Sequence, residues 1–143
     1  MDRLSSENIH ATTVEQDGRA LLLVGPSGSG KSDLALRLLD RGYRLVSDDR
    51  TLLRKDGTRL VASAPATIAG RMEVRGIGIV SVEAAPDSPV VLVVDLSGEG
   101  ERLPEDGAHR TYLGVAIPLV AMDARAASAA AKVALAMKTV ALP

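Results

Sequence analysis

Cysteine is absent from this 143-residue sequence, as are phenylalanine and tryptophan, and only two tyrosines occur. Without cysteine there is no disulfide scaffold, no cysteine-ligated zinc and no thiol nucleophile. A reducing compartment is permitted by that absence. Without aromatic platforms a single-stranded nucleic acid has little to stack on. The core must then be aliphatic, built from Leu, Val, Ile and Ala. Strong charge of one sign is also missing: 17 Lys and Arg against 18 Asp and Glu leave a net charge of −1. No global field therefore favours nucleic acid or an acidic membrane as a partner. The dense apolar runs fall well short of the roughly 20 residues that span a bilayer. Met1 to Gly18 is polar with no apolar stretch of the signal-peptide kind. The expected location is the cytoplasm.

What remains is 46% hydrophobic and 24% charged, the balance of an ordinary globular protein. The length matches a single domain over residues 1–143. An extended piece is expected around Ile9–Val14, then a turn at Gln16-Asp17-Gly18. Ala20–Val24 is a continuous apolar run, the pattern of a strand buried on both faces. A glycine-rich loop, Gly25–Gly30, leads into a helix from about Lys31 to Arg41, its apolar face made by Leu34, Leu38, Ala35 and Leu39. Gly42 stops that helix. Tyr43–Val46 is the next strand and ends in Ser47-Asp48-Asp49. Thr51–Arg54 and Arg59–Ala62 flank a turn and predict a hairpin. Glu73–Val82 is β-prone with glycines at 76 and 78, which suggests a bulge or a close backbone approach. Val90–Leu96 is the clearest buried strand, Ser97–Gly107 an exposed loop, and Tyr112–Val120 another strand. Asp123 is placed to cap a final Ala-rich helix over about Ala124–Lys138.

One motif carries specific chemistry. Gly25-Pro26-Ser27-Gly28-Ser29-Gly30-Lys31-Ser32 fits G-x-x-x-x-G-K-[ST] at every fixed position, between a buried strand and an amphipathic helix. Such glycines let successive backbone N–H groups converge on phosphate oxygens. The helix N-terminus favours the same anion. Lys31 is the expected partner of the β- and γ-phosphates, and Ser32 offers a hydroxyl to Mg²⁺. Two places could supply a carboxylate. Asp48-Asp49 ends a strand on the side where the phosphate loop opens. Asp95 ends the apolar run VVLVVD, the usual Walker B pattern, and on pattern alone it has the stronger claim. His10, Glu73, Arg75, Arg102 and Arg125 would each, taken alone, be ordinary surface residues.

Together these segments resemble the catalytic domain of HPr kinase/phosphorylase, the bacterial enzyme that phosphorylates a serine of the phosphocarrier HPr. His10 stands 15 residues before Gly25, and GPSGSGKSDLALRLLDRGYRLVSDD follows the family's P-loop, helix and Asp-Asp strand almost continuously. Met72-Glu73-Val74-Arg75-Gly76-Ile77-Gly78-Ile79 matches its E-[VIL]-R-G-x-G-I signature, and Glu101-Arg102-Leu103 with Leu113–Pro118 matches its RL…LGVxIP segment. The resemblance implies an α/β P-loop domain with a mixed β-sheet, related to the phosphoenolpyruvate-carboxykinase-like P-loop fold. It implies ATP and Mg²⁺ as cofactors and an HPr-like phosphocarrier as partner. Asp49 would take the serine proton, supported by His10. Ser32 and Glu73 would meet Mg²⁺, and Lys31 and Arg102 the transferring phosphate. Asp48 becomes a neighbour of that centre, and Asp95 loses its claim. An extra N-terminal domain like that of the long family members is not expected, and the family's VRPGRN loop, implicated in the reverse phosphorolysis, reads Met122-Asp123-Ala124-Arg125-Ala126-Ala127. Weak or absent phosphorolysis is therefore expected. A homo-oligomer, the family's habit, is left open. The alternatives are a P-loop kinase of small molecules and a nucleotide-sensing module without turnover.

Overall fold

The computed structural model describes residues 6–97 and 107–143. The chain runs β1 (Ser6–Ile9), β2 (Ala11–Gln16), β3 (Arg19–Val24), α1 (Lys31–Leu39), β4 (Arg44–Ser47), β5 (Thr51–Asp56), β6 (Arg59–Ser63), β7 (Arg71–Val74), β8 (Gly78–Ser81), β9 (Ser88–Asp95), β10 (His109–Tyr112), β11 (Val115–Ala121) and α2 (Ala129–Thr139). Nine strands form one mixed sheet in the order β1-β5-β6-β9-β3-β2-β4, with β11 joining β9 and β10 joining β11. β7 and β8 pair separately as an antiparallel hairpin.

The two apolar runs lie side by side at the centre as the parallel pair β3 and β9. Side chains alternate across a strand, so a strand covered on both faces is apolar throughout. In β3, Leu21 and Leu23 enter one core while Ala20, Leu22 and Val24 enter the other. A register shift in the pairing with β9 falls between Ala20 and Leu21, beyond which Leu92 and Val94 face the first core and Val93 the second. The first core lies under Leu34, Ala35 and Leu38 of α1 and Ala129, Val133 and Met137 of α2. The second is enclosed because the sheet curls: Leu53, Leu60 and Ala62 of β5 and β6 close over Ala11, Leu22 and Val46. Each buried leucine contributes roughly 1.5–3 kcal/mol, so an aliphatic core suffices without aromatics.

Strand order sets up the site. β2 lies between β3 and β4 and is antiparallel to both, so β3 and β4 end at the same edge of the sheet. The loop after β3 and the Asp48-Asp49 turn after β4 therefore open side by side. The chain also changes partners at His10: β1 pairs with β5, whereas β2 pairs with β3 and β4. The expected single piece Ile9–Val14 is thus two strands with a bend at His10.

Three other expectations are corrected. The strand expected over Tyr112–Val120 is Val115–Ala121, the second arm of a hairpin with His109–Tyr112, because Leu113 and Gly114 both have positive φ, 51° and 80°, as a two-residue turn requires. Gly76 and Gly78 mark neither a bulge nor a close approach, since a Cβ on either would meet nothing within 4 Å; they lie in and after the β7–β8 turn at φ 88° and 116°. The last helix begins at Ala129 and not after Asp123. Arg37 of α1 donates to the carbonyls of Ala124 and Ala126, which removes acceptors an earlier helical start would need. The Asp123 carboxylate instead accepts the N–H of Arg125 at 2.9 Å. Among the described residues no helix is long and apolar enough to cross a membrane.

Candidate active site

The P-loop joins β3 to α1, and its glycines are required by geometry. Gly25 has φ 152°, and a Cβ there would lie 2.7 Å from Ser29 Oγ. Gly30 has φ 95°, and a Cβ would lie 2.9 Å from that of Ala124. The loop is thus packed from outside by Ala124, whose carbonyl accepts from Arg37. Ser29 Oγ is buried without a hydrogen-bond partner. Lys31 is buried to 6% exposure, and its Nζ donates to the carbonyls of Gly25 at 2.8 Å and Pro26 at 3.1 Å. Burial pushes its pKa below the ordinary lysine value, opposed by the negative charges of Asp49 and Asp48.

Asp48 is the meeting point of three elements. Its Oδ1 accepts from Ser32 Oγ at 2.7 Å and from Thr12 Oγ1 at 3.1 Å, and its Oδ2 accepts from the Glu73 N–H at 3.1 Å. The P-loop helix, β2 and the β7–β8 hairpin are joined through one carboxylate that is 8% exposed. Asp49 is exposed and has φ 70°, the left-handed region that non-glycine residues seldom occupy. Its N–H donates to Thr12 Oγ1 at 3.0 Å, and its Oδ1 lies 2.7 Å from His10 Nε2. The partner change at His10 produces this last contact, because the β4–β5 turn lies opposite the β1–β2 bend.

Asp95 ends β9 at the same sheet edge, paired with Val24, but has different partners. Its Oδ2 accepts from Arg110 at 2.8 Å and its Oδ1 from the Ser97 N–H at 2.8 Å. Burial works against its charge, but Arg110 and the Ser97 amide outweigh burial and hold the carboxyl below its ordinary range. The structure therefore brings together His10, Lys31, Ser32, Asp48, Asp49 and the backbone of Glu73, and ties Asp95 to a separate ion pair. The Glu73 side chain is exposed on the β7–β8 hairpin. Arg102 lies outside the described residues. Arg125 is exposed, with Nε 3.5 Å from Asp123 Oδ1. Thr12 had no place in the sequence reading. Its signal was two adjacent threonines, Thr12 and Thr13, in a strand buried on both faces, where hydroxyls must find partners. A cleft of about 830 Å³ beside the C-terminal half of α1, lined by Leu36, Arg41, Tyr43, Val82 and Ala130 among others, includes none of the site residues.

A central parallel pair, a glycine loop running into a helix, and carboxylates at the same sheet edge define the P-loop class of α/β proteins. Within that class the relatives are specific. The sequence profile of the HPr Serine kinase C-terminal domain matches residues 2–141, and the chain belongs to that family. It is similar to HPr kinase/phosphorylase of Chlorobium phaeobacteroides, 38% identical over 134 residues covering 84% of this chain and 40% of that protein. It is also similar to HPr kinase/phosphorylase of Limosilactobacillus reuteri, 34% identical over 139 residues covering 87% and 43%. The chain thus spans about two fifths of the length of these curated relatives. The structure of the Hpr(Ser) kinase/phosphatase from Coxiella burnetii superimposes with a TM-score of 0.78 at 25% identity, covering 92% of this chain and 94% of that one.

Proposed function

We propose that residues 1–143 form one catalytic unit, a protein serine kinase that uses ATP and Mg²⁺ to phosphorylate HPr or an HPr-like phosphocarrier in the cytoplasm. The observation that carries this reading is the junction of Ser32 and Asp49 through Asp48 and Thr12, with His10 on Asp49. It links the first turn of the P-loop helix to an exposed carboxylate through a chain of hydrogen bonds.

The residues present fit Mg-ATP. The P-loop is a cradle that side chains at Gly25 and Gly30 would fill, and Ser29 Oγ is a buried donor still to be satisfied. The Ser32 hydroxyl and nearby carboxylates are hard oxygen ligands suited to Mg²⁺. Among the described residues no cluster of three or more His, Asp or Glu could hold a metal by itself. Ser32 and Glu73 would therefore share the ion with the nucleotide's own phosphates, the usual manner for Mg²⁺. Bound Mg-ATP would supply the phosphoryl group and the cation that neutralises its oxygens. The protein's part is positioning and charge. Lys31 moves from loop carbonyls to phosphate oxygens with little loss of hydrogen bonds. Asp49 accepts the proton of the incoming serine, and His10 orients that carboxylate. Arg102 would add positive charge at the transferring group.

Phosphorolysis is weak or absent in this reading. The segment from Met122 to Ala127 keeps one arginine, and Asp123 engages both its N–H and its side chain. An added carboxylate there repels a second phosphate. The test is to offer purified chain, labelled ATP and Mg²⁺ to HPr-like carriers, then the phosphorylated carrier to inorganic phosphate. Phosphoserine should form in the first assay and little pyrophosphate in the second. No phosphoserine on any carrier would overturn the kinase reading, and pyrophosphate release as fast as the forward step would overturn the phosphorolysis reading.

A further inference from the structure

We propose that Thr12 is a positioning residue, whose hydroxyl, shared between the Asp48 carboxylate and the Asp49 amide, holds Asp49 in its working conformation; this rests on the phosphoryl-transfer reading above. A threonine hydroxyl has one proton to give and lone pairs to receive. Thr12 Oγ1 uses both capacities: it donates to Asp48 Oδ1 at 3.1 Å and accepts the Asp49 N–H at 3.0 Å. Ser32 Oγ donates to the same Asp48 oxygen at 2.7 Å. A continuous chain of hydrogen bonds thus runs from the P-loop hydroxyl, through Asp48 and Thr12, to the backbone of Asp49.

That chain has work to do because Asp49 is left-handed at φ 70° without being glycine. Such a conformation carries a small cost even for aspartate, and fixed contacts at both ends of the residue offset it. On the side-chain end Asp49 meets His10, and on the backbone end it meets Thr12. Thr12 is itself fully buried in β2 between β3 and β4. Valine has the same shape and can neither donate nor accept. It would leave the Asp49 N–H without a partner and remove one of three donors from Asp48. Serine keeps both bonds. The neighbouring pair Thr13 and Thr51 supplies a contrast: these hydroxyls lie 2.8 Å apart, and Thr51 donates to the Ala11 carbonyl at 2.9 Å. Both are fully buried, and neither has a hydrogen bond to Asp48 or Asp49 among those formed by the described residues.

The experiment compares Thr12→Val, Thr12→Ser and Thr51→Val by kcat for carrier phosphorylation, by affinity for Mg-ADP, and by hydrogen exchange of the Asp49 amide. A small displacement of a reacting group costs up to about a hundredfold in rate. Thr12→Val should lower kcat by about tenfold to a hundredfold, hold Mg-ADP affinity within about twofold, and speed Asp49 amide exchange. Thr12→Ser should restore both kcat and slow exchange, and Thr51→Val should lose stability with kcat retained. Unchanged kcat in folded Thr12→Val, or equal losses in Thr12→Val and Thr51→Val, would overturn the proposal. If Thr12→Val does not fold, Thr12→Ser against Thr12→Cys makes the same comparison of strong and weak hydroxyl-type bonding. The exchange measurement needs no substrate, so a wild-type chain without transfer activity would sink the kinase reading and still leave the placement of Asp49 decided.

Discussion

An aspartate closes β9 and another directly follows β4 at the same edge of the sheet, and the two have different surroundings. At the end of β9, Asp95 faces a fixed cation, Arg110, and a local amide. Just after β4, Asp48 accepts from neutral donors among the described residues, two hydroxyls and an amide. The carboxyl at β9 has its charge cancelled in place. The carboxylates at β4 keep theirs near Lys31, whose pKa they raise against burial. A carboxylate already neutralised by arginine is a poor metal ligand or proton acceptor, whereas one held by dipoles remains available. An apolar run ending in Asp does not by itself say whether that carboxylate is free to act. Its partners do.

The comparison can be broken most sharply at Asp49. Asp49→Asn should keep nucleotide binding and lose transfer by about 10²–10⁴-fold, the usual worth of a general base, while Asp95→Asn stays within about twofold of wild type. Steady-state kinetics beside nucleotide titration checks both, and the reverse pattern would restore the Walker B reading of Asp95. Lys31→Ala comes next. Removing a preorganised cation from the transferring phosphate should lower turnover by about 10²–10³-fold with the fold intact. Near-normal turnover would remove the P-loop from the chemistry. Glu73→Gln should act more narrowly, raising the Mg²⁺ concentration for half-maximal activity by about tenfold and leaving metal-free nucleotide affinity unchanged. An unaltered Mg²⁺ dependence would confine Glu73 to its backbone bond with Asp48.

The smallest effect sharpens the other side of the comparison. Asp95→Asn should lower stability at neutral pH by about 1–2 kcal/mol, because a charge-assisted hydrogen bond to Arg110 is weakened. The sign of the pH dependence follows from the lowered pKa. A carboxyl more acidic in the folded than in the unfolded chain contributes stability above its unfolded pKa of about 4, and that contribution is lost as pH falls through the folded value. Urea unfolding of wild type and variant should therefore differ at pH 7 and converge below about pH 4. A constant difference across that range would show that Asp95 acts by packing and not by charge.

Much of the fold was legible because its signals are local. The runs at Ala20–Val24 and Val90–Leu96 read as buried strands and form the central pair. Gly42 reads as a helix stop and sits at φ 96° just beyond α1. The Ala-rich tail misled for a physical reason. Residues 124–128 have good helix propensity, yet the carbonyls of Ala124 and Ala126 are taken by Arg37, nearly ninety positions earlier. Such a tertiary bond leaves no periodicity to read. Of the candidate site, the P-loop was legible and Thr12 was not, since a buried threonine in a strand looks the same whether its hydroxyl meets a carbonyl or the Asp48-Asp49 turn.

By itself the sequence determined the aliphatic core, the central strands and the phosphate loop, because each rests on residues adjacent in the chain or on strict alternation. Only the tertiary structure decided which carboxylates join that loop. The decision depends on β2 lying between β3 and β4, and on the change of strand partner at His10, which brings it within 2.7 Å of a residue 39 positions away. Hydrogen bonds act over about 3 Å of space and are indifferent to chain separation, so strand order, which composition and spacing leave open, selects the partners.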